Sequence, residues 1–232
     1  MNYLLGSGYY HPKPASDAFI KVWGRTLERY AQPQPTQTVI IGAGASWRAM
    51  HVDCVPSADV LNFGGNLGHV HDLLDGRKPH AFCGWSASFL ALAMLAYNAE
   101  LDFIYLEQDC LAIGPWVERM YADMGDGDMV FGGKMKSAPY MPCAQALVLV
   151  RHKFIPELVA AYLAMGNDGN PSKTNLPEHK FAALPVKFGK RIRHLSFGCD
   201  RERPIPMEDE VFYVQKLNVH EVAELRARGL IE

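Results

Sequence analysis

The chain lacks the sequence features of several protein classes. Its 232 residues include five cysteines, an odd number, widely spaced and without a Cys-x-x-Cys pair, which fits a reducing compartment and argues against a structural zinc site. The net charge of −2 offers no basic surface for nucleic acid and no polybasic membrane patch. The first residues do not form a basic region followed by a long apolar core, so no signal peptide is predicted. We therefore expect a soluble, cytoplasmic protein.

A membrane helix has to be considered because residues 81–99 carry no charge. A span needs about 20 predominantly apolar residues. This stretch is interrupted by Gly84, Ser86, Ser88 and Asn98 and runs directly into an apolar strand. The pattern therefore predicts a buried helix and no transmembrane segment.

Short apolar strands alternate with helical patterns in the first half of the chain. Four predicted strands, each followed by glycine or an acidic residue, cover residues 3–5, 38–41, 60–63 and 103–106. Later segments predict a helix over 116–124, strands at 129–131, 146–150 and 192–195, a helix from 156, a long polar loop over 166–190 and a mostly helical tail over 208–228. This alternation is typical of α/β proteins with a mostly parallel sheet.

The most specific feature is the segment 102–110, Asp-Phe-Ile-Tyr-Leu-Glu-Gln-Asp-Cys. It reads as a buried strand that ends abruptly at two carboxylates, Glu107 and Asp109. In open α/β sheets the ligand lies beyond the carboxyl ends of the strands, where paired carboxylates suit a hard cation such as Mg²⁺ or Mn²⁺. The alternative is that two exposed acids only cap the next turn.

The order of elements resembles the nucleotide-sugar glycosyltransferases of the GT-A fold over residues 1–217. Residues 105–111 are similar to the strand-terminal Asp-x-Asp signature of that family, with Glu107 in the first acidic position. The resemblance continues in a Pro-Trp helix start at 115–116 and in Asp-Met-Val-Phe-Gly-Gly at 128–133. It implies one α/β GT-A-like domain over 1–232, with a nucleotide-binding half (1–125) and an acceptor-side half (126–232).

The resemblance also implies an activity and its residues. The expected reaction moves a sugar, hexosyl or related, from a nucleotide-diphosphate sugar to a glycan or lipid-linked acceptor in polysaccharide synthesis, assisted by Mn²⁺ or Mg²⁺. Some relatives work without a metal ion, and the departure from the signature at Glu107 leaves that alternative open. The implied metal ligands are Asp109, Glu107 and His194. The implied nucleotide-sugar contacts are Ser7, Gly8, Lys78, Glu107 and Gln145, with Arg77 and His80 as further basic candidates. Asp209 or Glu208, in a segment predicted to open a helix, is the implied general base.

Each assignment has a structural alternative. Acids at 208–210 are also common at helix starts, where the helix dipole stabilises them, and the basic residues at 77–80 fit a solvated loop. A histidine at a strand end, such as His194, is often satisfied by its neighbours. The Gly-Ala-Gly-Ala-Ser-Trp run at 42–47 is a poor dinucleotide fingerprint because tryptophan replaces the third glycine. The histidines at 69–80 lack the spacing of a metal site.

Two other functions stay open. A nucleotidyltransferase shares the fold, but such enzymes carry a basic glycine-rich loop after the first strand, whereas here no basic residue precedes Lys13 except His11. A binding module that keeps the pocket and has lost the chemistry is the non-enzymatic alternative.

Overall fold

A computed structural model describes residues 1–10, 17–43, 57–63, 67, 82–133, 143–168, 176–198 and 201–232. The strands are β1 (Tyr3–Tyr10), β2 (Gln37–Ala43), β3 (Ala58–Asn62), β4 (Asp102–Leu106), β5 (Cys110–Ile113), β6 (Met129–Gly132), β7 (Ala144–Val150), β8 (Ile192–His194) and β9 (Phe212–Gln215). The helices are α1 (Asp17–Tyr30), α2 (Gly84–Asn98), α3 (Trp116–Met124), α4 (Ile155–Ala164), α5 (Pro177–Phe188) and α6 (Val219–Ala227).

Seven strands form one sheet in the order β3-β2-β1-β4-β7-β6-β8. Strand β1 pairs in parallel with β2 and β4, and β2 pairs in parallel with β3. Strand β7 is antiparallel to both of its neighbours, β4 and β6, while β6 and β8 are parallel. One strand of the seven is therefore reversed, which confirms the predicted α/β class with a mostly parallel sheet. Both predicted halves of the chain contribute strands to it.

The central strand β4 is buried on both faces, as its continuous apolar run predicts. Phe103 and Tyr105 pack on the face covered by α2, and Ile104 and Leu106 pack on the face covered by α1. Helices on both faces leave only the ends of the sheet open, which is where ligands bind in such folds.

The uncharged helix α2 lies against the sheet, with Phe89, Leu92, Ala93 and Ala96 fully buried. Within the described ranges, no helix combines the length and the apolar character that crossing a membrane requires. The sequence prediction of a buried helix in this stretch is confirmed.

The predicted helical tail needs correction, because residues 208–228 contain strand β9 before helix α6. The apolar run of β9 is buried and pairs antiparallel with β5, with Cys110 opposite Gln215 and Ile113 opposite Phe212. Neither strand of this small sheet was predicted. Each is only four residues long, so the pairing that stabilises them is visible only in three dimensions.

The predicted loop over 166–190 also needs correction, since its second half is helix α5. Proline and lysine content suggested irregular structure there. Pro177, however, occupies the first turn, where a missing N–H costs nothing, and Phe181 and Leu184 bury one face. Burial of these side chains therefore stabilises a helix in a stretch whose composition favours a loop.

Candidate active site

The turn after β4 is held in place by backbone hydrogen bonds on both sides. The Glu107 N–H donates to the Ala146 carbonyl at 2.8 Å, and the Cys110 N–H donates to the Glu107 carbonyl at 3.0 Å. The indole N–H of Trp23 donates to the same Glu107 carbonyl at 3.2 Å. The two predicted acids therefore stand on a fixed turn at the carboxyl end of the central strand.

The side chains of the two acids are joined by one amide. Gln215 Nε2 donates to Asp109 Oδ1 at 2.7 Å and also to Glu107 Oε2. The other oxygen of Glu107 accepts the indole N–H of Trp85 at 2.7 Å. The acids are therefore part of a hydrogen-bonded network rather than two solvated caps.

Gln215 is itself held from the opposite side by two arginines. It is 2% exposed, at the end of β9. Arg201 Nε donates to its side-chain Oε1 at 3.0 Å, and Arg203 Nη2 donates to its backbone carbonyl at 3.2 Å. Sequence reasoning missed Gln215 because β9 was missed. The available signal was a polar residue closing the apolar run Phe-Tyr-Val at 212–214.

Ser7 and Gly8 lie in β1, next to β4, with Gly6 opposite Tyr105. A Cβ added to Gly8 would lie 2.6 Å from Ser88 Cβ and 3.0 Å from the Tyr105 hydroxyl, so only glycine fits between β1 and α2 here. Burial, reinforced by the nearby Glu107, raises the pKa of Tyr105 well above its ordinary value. The Tyr105 hydroxyl therefore stays protonated at neutral pH.

Gln145 lies at the start of β7, one residue before the carbonyl that binds the Glu107 N–H. It is 7% exposed, and its Oε1 finds no hydrogen-bond partner within the part of the chain that the structure describes. A buried polar oxygen without a partner is costly unless a ligand or water satisfies it. Gln145, which is predicted to contact the sugar, is thus close to the acids, and its Oε1 can accept a hydrogen bond from a ligand.

A buried ion pair holds the start of α2, which carries Trp85. Lys180 Nζ lies 2.7 Å from Asp168 Oδ1, and the two side chains are 1% and 0% exposed. The other Asp168 oxygen accepts the Cys83 N–H at 2.9 Å, directly before α2, and Lys180 also donates to the Gly166 carbonyl at 2.6 Å. Sequence analysis missed this pair because both residues fall in the stretch predicted as a polar loop.

The structure does not bring His194 together with Asp109 and Glu107. His194 is exposed at the end of β8, three strands from β4, which is about 14 Å at the usual inter-strand spacing. Its ring packs edge-on against Phe131, with centroids 5.1 Å apart. Over the described ranges, no three His, Cys, Asp or Glu side chains converge in a group able to hold a metal ion. The predicted metal ligands therefore do not form one cluster here.

The structure places Glu208 and Asp209 before β9, beyond the end of the strand that is remote from Asp109. They do not open a helix, contrary to the prediction. Both are exposed, and Glu208 contacts Arg228. Glu208 lines a cavity of about 440 Å³ whose lining includes Ile205 but neither Glu107 nor Asp109.

Several predicted positions lie outside the described residues. They are Arg77, Lys78, His80, the histidines at 69 and 71, Asp72, and residues 44–47 of the glycine-containing run. Their assigned roles stay predictions.

Comparison with solved structures identifies the fold. No protein-family model matches the sequence, and no curated protein matches it either. An active-site variant of the galactosyltransferase LgtC superimposes with a TM-score of 0.60 at 11% identity, over 100% of this chain and 96% of that one. Mouse xyloside xylosyltransferase 1 superimposes with a TM-score of 0.56 at 12% identity, over 95% and 99% of the two chains.

A third similar structure carries a different description. A Bacillus anthracis protein described as a glucose-1-phosphate thymidylyltransferase superimposes with a TM-score of 0.51 at 8% identity, over 98% of this chain and 95% of that one. The chain has the GT-A fold of the nucleotide-diphospho-sugar transferases.

Proposed function

We propose that this chain is a glycosyltransferase that moves a sugar from a nucleotide-diphosphate sugar to a glycan or lipid-linked acceptor in the cytoplasm. The observation that carries the proposal is the pair Glu107 and Asp109, joined by Gln215 at the carboxyl end of the central strand. In an open α/β sheet this edge is the usual ligand site. The GT-A fold adds the substrate class, because the similar LgtC and xylosyltransferase structures are glycosyltransferases.

The site offers groups for each part of such a donor. Ionised carboxylates accept hydrogen bonds, so Asp109 is suited to the hydroxyls of ribose or sugar. Gln145 Oε1 is a second acceptor close by. Arg201, which donates a hydrogen bond to Gln215, brings a positively charged side chain to this region. A cationic group of this kind can stabilise the diphosphate as negative charge develops on it.

The proposed reaction is a substitution at the anomeric carbon of the sugar. The bond from this carbon to the diphosphate oxygen breaks, the bond to the acceptor oxygen forms, and the acceptor hydroxyl gives its proton to a base. The assignment of Asp209 or Glu208 as that base stays a prediction from the resemblance. The same holds for hexosyl transfer, polysaccharide synthesis and the Mn²⁺ or Mg²⁺ requirement, and no step here depends on a metal ion.

Nucleotidyl transfer is the second candidate, because the thymidylyltransferase-like structure has this fold too. Such a reaction leaves pyrophosphate, so the enzyme must bind a triphosphate chain. The sequence supplies neither lysine nor arginine between Gly6 and Lys13, that is, in the second half of β1 and directly after it in the chain, which disfavours that role. Glycosyl transfer is therefore the better-supported function.

The test begins with thermal unfolding in the presence of UDP, GDP, CDP and TDP, because a ligand that binds only the native state raises the Tm. The diphosphate that gives the shift selects the nucleotide sugars for a turnover assay that measures diphosphate release. Asp109→Asn should lower kcat/KM by at least about tenfold, or 1.4 kcal/mol of transition-state stabilisation. Asp59→Asn, an exposed aspartate on β3, is the matched control and should leave turnover unchanged.

The outcomes separate the rival functions. Release of pyrophosphate from a nucleoside triphosphate and a sugar 1-phosphate, without turnover of any nucleotide sugar, would establish the nucleotidyltransferase instead. Binding of a nucleotide sugar without turnover, at any tested acceptor, would establish a binding module.

A further inference from the structure

The amide nitrogen of Gln215 lies between the two acids, where a bridging cation would have to lie. One nitrogen donates to both carboxylates, to Asp109 Oδ1 at 2.7 Å and to Glu107 Oε2. A glutamine amide has two N–H donors, so each carboxylate takes one of them. The two acids are thus already bridged by a neutral donor of this chain.

The hydrogen-bond network fixes the orientation of this amide. Arg201 Nε, which can only donate, bonds to Gln215 Oε1 at 3.0 Å. Turning the amide around would set a donor against Arg201 and an acceptor against each carboxylate. Because Gln215 is 2% exposed, water is not at hand to compensate for such mismatches. The nitrogen therefore faces the acids.

This arrangement does not fit a divalent cation. Mg²⁺ and Mn²⁺ take oxygen ligands, but the group between the carboxylates is an N–H donor. Glu107 Oε1 is taken by the Trp85 indole at 2.7 Å. Through the described ranges, no third acid, histidine or cysteine joins the pair in a metal-binding group.

The geometry points to a donor site that works without a divalent cation, in which Gln215 replaces the bridging ion as a positioning residue. Glu107 and Asp109 then serve as hydrogen-bond acceptors for hydroxyl groups of the nucleotide sugar rather than as metal ligands. The nucleotide part of this inference rests on the proposed function, whereas the replacement of the cation stands on the contacts of Gln215 alone.

The experiment measures Mn²⁺ binding by electron paramagnetic resonance, with and without the nucleoside diphosphate that raises the Tm. The wild-type protein should leave the signal of free Mn²⁺ unchanged without the nucleotide, and with it should lower the signal no further than the nucleoside diphosphate alone does. Gln215→Glu places a third carboxylate between the two acids and should bind one equivalent of Mn²⁺ at least about tenfold more tightly than wild type, because charged oxygen ligands set the affinity of such sites. Gln215→Ala removes the obstructing amide without adding a charge and should give a smaller gain.

Gln37→Glu is the matched control. Gln37 Nε2 donates to Asp59 Oδ2 at 2.9 Å at the exposed start of β2, so this variant also sets a new carboxylate beside an aspartate. Gln37 lies at the amino ends of the parallel strands, whereas the acids lie at the carboxyl ends. This variant should therefore gain no comparable Mn²⁺ site. Circular dichroism of each variant establishes that the fold is retained.

Two results would overturn the inference. One is uptake of one equivalent of Mn²⁺ by the wild-type protein that Asp109→Asn abolishes. The other is a folded Gln215→Glu and Gln215→Ala pair that binds Mn²⁺ no better than Gln37→Glu. If no nucleotide binds under any condition, the proposed function fails, and the Mn²⁺ titration of the nucleotide-free proteins still decides the role of Gln215.

Discussion

Trp85 donates its indole N–H to Glu107 Oε1 across 2.7 Å, which joins the first turn of α2 to the acidic end of β4. The ring of Trp85 also stacks on Phe89, with centroids 5.2 Å apart, and packs edge-on against Phe181. Since the aromatic packing holds the indole rigidly, its N–H is a fixed donor to one oxygen of the acid. The orientation of Glu107 thus depends on a residue 22 positions earlier in the chain.

We expect Trp85→Phe to weaken nucleotide binding and to lower the free energy of unfolding. The variant keeps an aromatic ring and loses the hydrogen bond to a charged acceptor, a contact that contributes about 1.5–3 kcal/mol. Trp116→Phe is the control, because the indole N–H of Trp116 has no partner within the described residues. It should change stability through lost packing alone and leave nucleotide affinity unchanged. Equal effects of both variants on affinity would contradict this role of Trp85.

Gly8→Ala should destabilise the protein because its Cβ would lie 2.6 Å from Ser88 Cβ and 2.7 Å from Ser88 Oγ. Overpacking of this kind costs about 1–3 kcal/mol. Gly133→Ala is the control: among the described residues, its Cβ would meet nothing closer than His194, at 3.9 Å. Thermal unfolding should show a clearly lowered Tm for Gly8→Ala and little change in Tm for Gly133→Ala. A Gly8→Ala protein of wild-type Tm would mean that β1 and α2 separate easily.

Lys180→Met should be strongly destabilising, by about 3–5 kcal/mol, because it leaves the buried carboxyl group of Asp168 without its cationic partner. Urea unfolding measures the loss. The double variant Lys180→Met with Asp168→Asn removes the unpaired charge and should recover part of the stability. A double variant less stable than the single one would show that Asp168 matters chiefly for the Cys83 N–H at the start of α2.

Asp128 should contribute stability that depends on pH. Burial alone would raise the pKa of its carboxyl, but hydrogen bonds and charge from Arg191, at 2.6 Å, and Lys153, at 3.1 Å, outweigh burial and lower this pKa. A carboxyl with a lowered folded-state pKa stabilises the protein above its unfolded pKa, and this contribution is lost as the pH falls through the folded value. The wild type should therefore exceed Asp128→Asn in stability at neutral pH.

The difference in free energy of unfolding between the wild type and Asp128→Asn should shrink as the pH falls below about 4, the ordinary pKa range of aspartate. Urea unfolding at pH 7 and at pH 3 measures it. Asp126→Asn is the control, because Asp126 also pairs with an arginine, Arg193, but is 87% exposed, where solvent screens the pair. A pH-independent difference for Asp128→Asn would show that the ion pairs do not stabilise the fold.

Much of the fold followed from local sequence patterns. The uncharged stretch at 84–98 and the apolar run at 103–106 can satisfy their backbones and bury their side chains only as a core helix and a core strand, and both lie where predicted. The position of Glu107 and Asp109 at the end of that strand followed as well. A parallel strand covered on both faces puts its next residues at the ligand-binding edge of the sheet.

The sequence by itself determined the fold class and the acidic pair, because both depend on residues that are neighbours along the chain. Only the tertiary structure decided what the acids contact. Gln215 and Trp85 lie 106 positions after Asp109 and 22 positions before Glu107, and no local pattern specifies a hydrogen bond over such separations. The pairing of β5 with β9 brings Gln215 to the acids, and the buried Lys180–Asp168 pair fixes the start of the helix that carries Trp85. Folding thus places an amide where the sequence alone suggested a metal ion.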